Sequence, residues 1–174
     1  MRETIGGAFT VPFIGWRGKV LPEWIDANGH MNSLIYPQLF HDATWPFFRE
    51  FLMEADYIEK RAFSIFQREF RISFENELML GDQIEVRCWL YAHDAKRIHH
   101  IHELWVSAGD GTPPCRVAFG EYMSLHVDMT TRRSAPFPDE VLARLNRMAE
   151  AYAHHPKPHG ARQAIGIPPR RGLD

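Results

Sequence analysis

The segment Asp26-Ala-Asn-Gly-His-Met-Asn32 places one carboxylate and one imidazole among small and turn-forming residues, where a strand pattern gives way to a helical one. A helix N-terminus leaves backbone N–H groups without partners and carries partial positive charge, so it can polarise a carbonyl and hold developing negative charge. Asp26 beside it can attack that carbonyl or activate a water. The same residues suit a plainer reading, in which Asp26 or Asn32 caps the helix and Gly29 serves a tight turn.

A second constellation is His99, His100 and His102. His100 and His102 project to one strand face, and two such imidazoles can bind zinc. No third ligand of matching local motif accompanies them, and hydrogen-bonded strand histidines are the commoner outcome, so no metal is expected. Glu121 alternates in phase with Val117, Phe119, Met123 and Leu125, a face that should be buried. A buried carboxylate needs a partner, and the expected one is His100 or His102 on the adjacent strand. Lys96 with Arg97, and Arg132 with Arg133, can bind phosphate, solvated loop charge being the equal alternative.

The elements that must position these groups follow from hydrophobic period. Val20, Leu21 and Trp24 suggest a strand over 18–25, confined to an edge or bulge by Pro22. Between Ser33 and Met53 the residues Ile35, Leu39, Phe40, Ala43, Phe47, Phe48, Phe51 and Leu52 recur at three and four, the signature of a helix burying one broad face. Pro46 inside it should kink or split that helix near Asp42 to Trp45. Period two takes over at Phe66, Phe70, Ile72 and Phe74, then over 84–91, 98–107 and 117–127, giving four strands in a meander. Pro138 opens a short amphipathic helix carrying Val141, Leu142, Leu145, Met148 and Tyr152. The remaining 154–174, with four prolines and three glycines, offer almost no apolar surface and read as an extended or mobile tail.

The chain's 174 residues suit one domain, and the order strand, long helix, antiparallel strands implies an α+β layer wrapping one apolar helix. The net charge of -2, with both signs interspersed, excludes a basic nucleic-acid stripe. Cys88 and Cys115 lie in apolar alternating runs without CxxC spacing and read as reduced core residues. No stretch approaches the roughly 18 apolar residues of a membrane span. The N-terminus, with Arg2, Glu3, Gly6 and Gly7, lacks a signal peptide's basic and apolar regions, so cytoplasm is the expected location.

Asp26-Ala-Asn-Gly-His-Met-Asn32 followed by Tyr36 resembles the Asp-x-x-Gly-His-Val/Met-Asn signature of the 4-hydroxybenzoyl-CoA thioesterase-like hotdog family. The likeness runs from about Val20 to Pro138: Trp24-Ile25, Glu77-Leu78-x-x-Gly81-Asp82, Asp94-Ala95-Lys96-Arg97-x-His99, Glu121, Leu125-His126-Val127-Asp128 and Arg132-Arg133. These blocks are similar to the branch found with carnitine and betaine catabolism, often described as betainyl-CoA thioesterases. The resemblance implies a hotdog domain over 1–153, its antiparallel sheet wrapped around one central helix. It implies hydrolysis of an acyl-CoA to free acid and CoA. Asp26 then matches the catalytic carboxylate, acting as nucleophile or base, and the N–H near Ser33 matches the group that polarises the thioester. His30 joins the catalytic set, while Gly29, Asn32, Ser33 and Tyr36 line the substrate site. Lys96, Arg97, Arg132 and Arg133 become candidates for the CoA phosphates, with CoA entering as part of the substrate and no separate cofactor. Aromatic faces in the pocket can receive a trimethylammonium group.

Two other functions compete. Hotdog hydratases carry an Asp-x-x-x-x-His spacing, and here Asp26 and His30 are one residue closer. An acyl-CoA sensor would carry a DNA-binding helix pair, and none precedes Val20. A single sheet around one helix leaves an edge open, so a homodimer or tetramer with its active site at the subunit boundary is expected.

Overall fold

A computed structural model describes residues 9–52, 54, 56–107, 113–161 and 165–167. Arg2, Glu3, Gly6, Gly7, Met53, Gly109 and the tail beyond Ile167 lie outside the described residues. The elements are β1 (Phe13–Lys19), a 3-10 turn at Pro22–Trp24, α1 (Ile35–Leu52), α2 (Tyr57–Arg61), β2 (Phe63–Phe74), β3 (Gln83–His93), β4 (Arg97–Ser107), β5 (Cys115–Asp128), β6 (Arg133–Ser134) and α3 (Asp139–Ala153). The antiparallel sheet runs in the order β1-β3-β4-β5-β2, with the short β6 on β5. The sheet curls around α1, the arrangement of a hotdog fold.

Tyr36, Leu39, Phe40, Ala43, Phe47, Phe48, Phe51 and Leu52 form the buried face of α1. They meet the even-numbered residues of β3 and β4, among them Ile84, Val86, Cys88, Leu90, Ile98 and Leu104. At Gly15 the helix comes so close that an added Cβ would stand 2.7 Å from the Ala43 side chain and 2.8 Å from its carbonyl oxygen. A side chain there would therefore push α1 off the sheet.

The first strand lies earlier than its pattern suggested. Phe13–Lys19 pairs with β3, while Pro22, lacking a donor, begins the 3-10 turn. Pro46 does not split α1, which runs through it as one element. The Thr44 hydroxyl donates to the Phe40 carbonyl at 2.8 Å within the same turn. In β2 a bulge between Gln67 and Glu69 reverses the alternation, so Ile65 pairs with His126 and Phe70 with Tyr122 on the inner face. Phe66 consequently leaves the set of Phe70, Ile72 and Phe74 and lies under the Arg132 guanidinium. Cys88 is buried and reduced, but Cys115 is exposed at the start of β5 rather than in the core.

The C-terminal segment packs more closely than its composition suggested. Pro158 and Ile165 are buried. The His159 carbonyl accepts from Arg116, and Lys157 lies over the Tyr91 ring while donating to its carbonyl. This segment lies against the sheet's outer face, opposite α1. Among the described residues no helix is long and apolar enough to cross a membrane.

Candidate active site

The loop after the 3-10 turn is closed by its own backbone. Asn32 N–H donates to the Trp24 carbonyl at 2.8 Å, Asp26 N–H to His30 at 3.1 Å, and Gly29 N–H to Asp26 at 3.0 Å. Ile25 and Met31 form a bridge across its base, and Met31, almost fully buried, donates to the Leu78 carbonyl. Gly29 has φ +84°, a left-handed conformation that glycine adopts without steric cost. The Asp26 carboxylate accepts the Asn28 N–H at 2.8 Å, so its direction is set by a local turn.

Asn32 caps the helix. Its side-chain oxygen accepts the Leu34 N–H at 2.9 Å, and its carbonyl accepts the Ile35 N–H. The Ser33 amide, between them, has no acceptor among the described residues. Ser33 also lines a cavity of about 250 Å³, together with His30, Met31, Tyr36, Phe74 and the segment Glu75 to Glu77. The positive end of α1 therefore opens on this cavity.

Of the sequence-selected residues, the structure brings His30, Ser33 and Tyr36 together on the cavity wall. Asp26, Gly29 and Asn32 belong to the same loop without lining it, Asp26 being held opposite His30 by the backbone pairing. The His30 ring nitrogen Nδ1 lies 3.3 Å from the Met31 carbonyl, and Nε2 faces Glu77 at 3.9 Å. Tyr36 meets Phe74 edge to face at 5.1 Å. Burial, reinforced by the negative charge of Glu77, pushes the Tyr36 hydroxyl pKa up, so it stays a neutral phenol.

Phe74, Asn76 and Glu75 were not singled out from the sequence as site residues. The alternation through Ile72 and Phe74, ending in an acidic pair, is the signal that could have found them. The basic candidates separate. Lys96 and Arg97 share a cavity of about 350 Å³ with Arg68 on the outer face, and Arg97 is held by Asp94 at 2.7 Å. Arg132 and Arg133 do not line it.

The partner expected for Glu121 needs correction. Ile101 pairs with Glu121, so His99 and not His100 or His102 shares its face. His99 Nε2 stands 2.9 Å from Glu121 Oε1, both groups fully buried. His100 and His102 face the opposite way, beneath α1. Their rings bond each other at 2.9 Å, and His100 Nε2 bonds Ser124 at 3.0 Å.

A model of the thioesterase-like superfamily matches residues 20–145. The chain belongs to this superfamily. It is 39% identical over 152 residues to a protein named betainyl-CoA thioesterase from Pseudomonas aeruginosa, covering 87% of this chain and 93% of that one. It is 33% identical to a Rhizobium meliloti protein named L-carnitine dehydrogenase/betainyl-CoA thioesterase, over 85% of this chain but 29% of that longer protein. Among solved structures, a Staphylococcus aureus protein characterised in complex with CoA superposes with a TM-score of 0.73 at 27% identity. That match covers 93% of this chain and all of the other.

Proposed function

We propose that this acyl-CoA thioesterase hydrolyses betainyl-CoA, with Asp26 as its catalytic carboxylate and the Ser33 amide as the group that polarises the thioester carbonyl. The observation that carries the reading is the 39% identity with a protein of that name across nearly the whole of both chains. In the reaction the carbonyl oxygen accepts from the Ser33 N–H, and negative charge grows there as the carbon becomes tetrahedral. Asp26 either bonds to that carbon or takes the proton of the attacking water. The C–S bond then breaks and the CoA thiolate takes up a proton to leave as thiol. In the general-base route that is the proton Asp26 took from water, and the acid is released directly. In the nucleophilic route water next hydrolyses the acyl-Asp26 anhydride, releasing the acid and a proton and restoring the carboxylate. His30, paired through its backbone with Asp26, orients the loop and completes the wall. Lys96 and Arg97 hold the CoA phosphates, with Arg68 beside them. The site of action is the cytoplasm, whose reducing conditions suit the two free thiols.

The test is thiol release from a panel of acyl-CoAs. Betainyl-CoA is expected to show the highest kcat/KM, and a preference for a long straight acyl chain would count against the reading.

The assembly belongs to the same proposal. Among the described residues β2 ends the sheet with one edge unpaired, and Phe70 and Phe74 on this strand are about half exposed. A second copy joined there would extend the sheet and cover both rings. Phe70→Asp is then expected to convert a dimer to a monomer in light scattering, with loss of activity. A wild-type chain that is monomeric and fully active would refute the dimer.

A further inference from the structure

We infer that Tyr36, Phe74 and Glu77 form a receptor for a quaternary ammonium group, setting the enzyme's preference for a cationic acyl group that has no N–H to donate. The inference rests on the betainyl reading above and names the residues that would carry it.

A trimethylammonium group spreads its charge over methyl hydrogens and donates no conventional hydrogen bond. It is held by aromatic faces and by a negative field, as at other quaternary ammonium sites. The cavity supplies both. Tyr36 and Phe74 stand edge to face at 5.1 Å, their planes 85° apart, so they present two walls at nearly a right angle. Phe74 is 54% exposed in the single chain, and its ring lines the cavity beside Tyr36.

The two nearby carboxylates differ. Glu75 is paired with Arg116, which donates to both its oxygens at 2.7 and 2.9 Å and also to Glu103. Among the described residues no lysine or arginine pairs with Glu77; its basic neighbour is His30, whose Nε2 stands at 3.9 Å, the outer limit of an ion pair. The carboxylate is largely exposed and open to a ligand as well as to solvent.

Two of the wall's polar groups are already engaged. The Tyr36 hydroxyl donates to the Asn76 carbonyl, and the Asn76 amide donates to the Arg116 carbonyl. A methylated cation needs no directional partner from Tyr36 or Asn76. Size agrees, since about 250 Å³ lies below the range of drug-sized pockets and suits a short acyl group. Position agrees too. Betaine's nitrogen is one methylene from its carbonyl, and Ser33 and Tyr36, three residues apart at the start of α1, line the same cavity. The amide that polarises the carbonyl and the ring that receives the cation thus open on one cavity.

The experiment compares betainyl-CoA with 3,3-dimethylbutyryl-CoA, its uncharged isostere, by thiol release. Wild-type enzyme is expected to favour betainyl-CoA in kcat/KM. In Glu77→Gln and Phe74→Leu the ratio of the two kcat/KM values should fall by roughly tenfold, and Phe74→Trp should restore or exceed it. A wild-type enzyme indifferent to charge would overturn both the betainyl reading and the receptor. A wild-type preference that survives unchanged in both variants would overturn the receptor alone, as would variants that lose activity equally on the two substrates.

Discussion

Asp26→Asn is expected to lower kcat for thioester cleavage by about 10³-fold, in line with the loss of a nucleophile or general base. Asparagine retains an Oδ1 that can still accept the Asn28 N–H, so the turn that aims the side chain persists. Melting temperature and circular dichroism should therefore match the wild type. Asp26→Ala should lose as much activity and also about 1 kcal/mol of stability, because the Asn28 amide is left without that acceptor. The contrast separates chemistry from architecture. An Asp26→Asn enzyme that keeps more than a tenth of wild-type kcat would remove the carboxylate from the mechanism.

The second large effect concerns stability and pH. His100 and His102 are fully buried beneath α1, and burial, the leading cause for both, lowers their pKa values. That of His102 falls to about 3, while that of His100 falls well below the usual imidazole value, with the two neighbouring histidines adding to the effect. In the unfolded chain both titrate near about 6.5, so between that pH and the folded values the unfolded state binds more protons. Stability contributed by keeping these rings neutral is complete above about pH 6.5 and is lost as pH falls toward the folded values. Each ring should steepen the decline by up to about 1.4 kcal/mol per pH unit. His126 and His93, also lowered chiefly by burial, act in the same direction. The carboxylates held low by arginine, such as Glu85 and Asp94, add their own loss only at more acidic pH. Denaturant melts between pH 7 and 5 should show the fall, and the His100→Gln/His102→Gln double variant should flatten it while starting from a lower stability. An equally steep fall in the double variant would show that these rings are not its source.

Much of this fold was legible because its strands bury one face and its central helix one stripe. Ile84, Val86, Cys88 and Leu90 alternate without interruption, and Leu39 to Leu52 keep helical spacing, so β3 and α1 were readable from period alone. Phe13–Lys19 was not, because its two glycines and half-buried residues mute the alternation of an edge strand. Bulges escape period-two reading by their nature. The one at Gln67/Glu69 moved Phe66 to the other face. Register parity is likewise a pairing property, and it decided that Glu121 would meet His99. α2 is a single short turn, below what periodicity resolves.

The site was legible in a different way. The turn-forming cluster from Asp26 to Asn32 marked the loop, and the structure adds which amide is left open and which cavity it faces. Glu75 and Asn76 remained hidden because their importance depends on β2 ending beside the start of α1, a contact distant in sequence. Arg68 was hidden for the same reason, joining Lys96 and Arg97 only through the pairing of β2 with β5.

The central claim is best tested by a crystal structure of the Asp26→Asn enzyme with intact betainyl-CoA. The account predicts the thioester carbonyl oxygen within hydrogen-bond distance of the Ser33 N–H, about 3 Å, with the residue 26 side chain facing the carbonyl carbon or a water beside it. A thioester bound away from the start of α1, with residue 26 facing solvent, would contradict it.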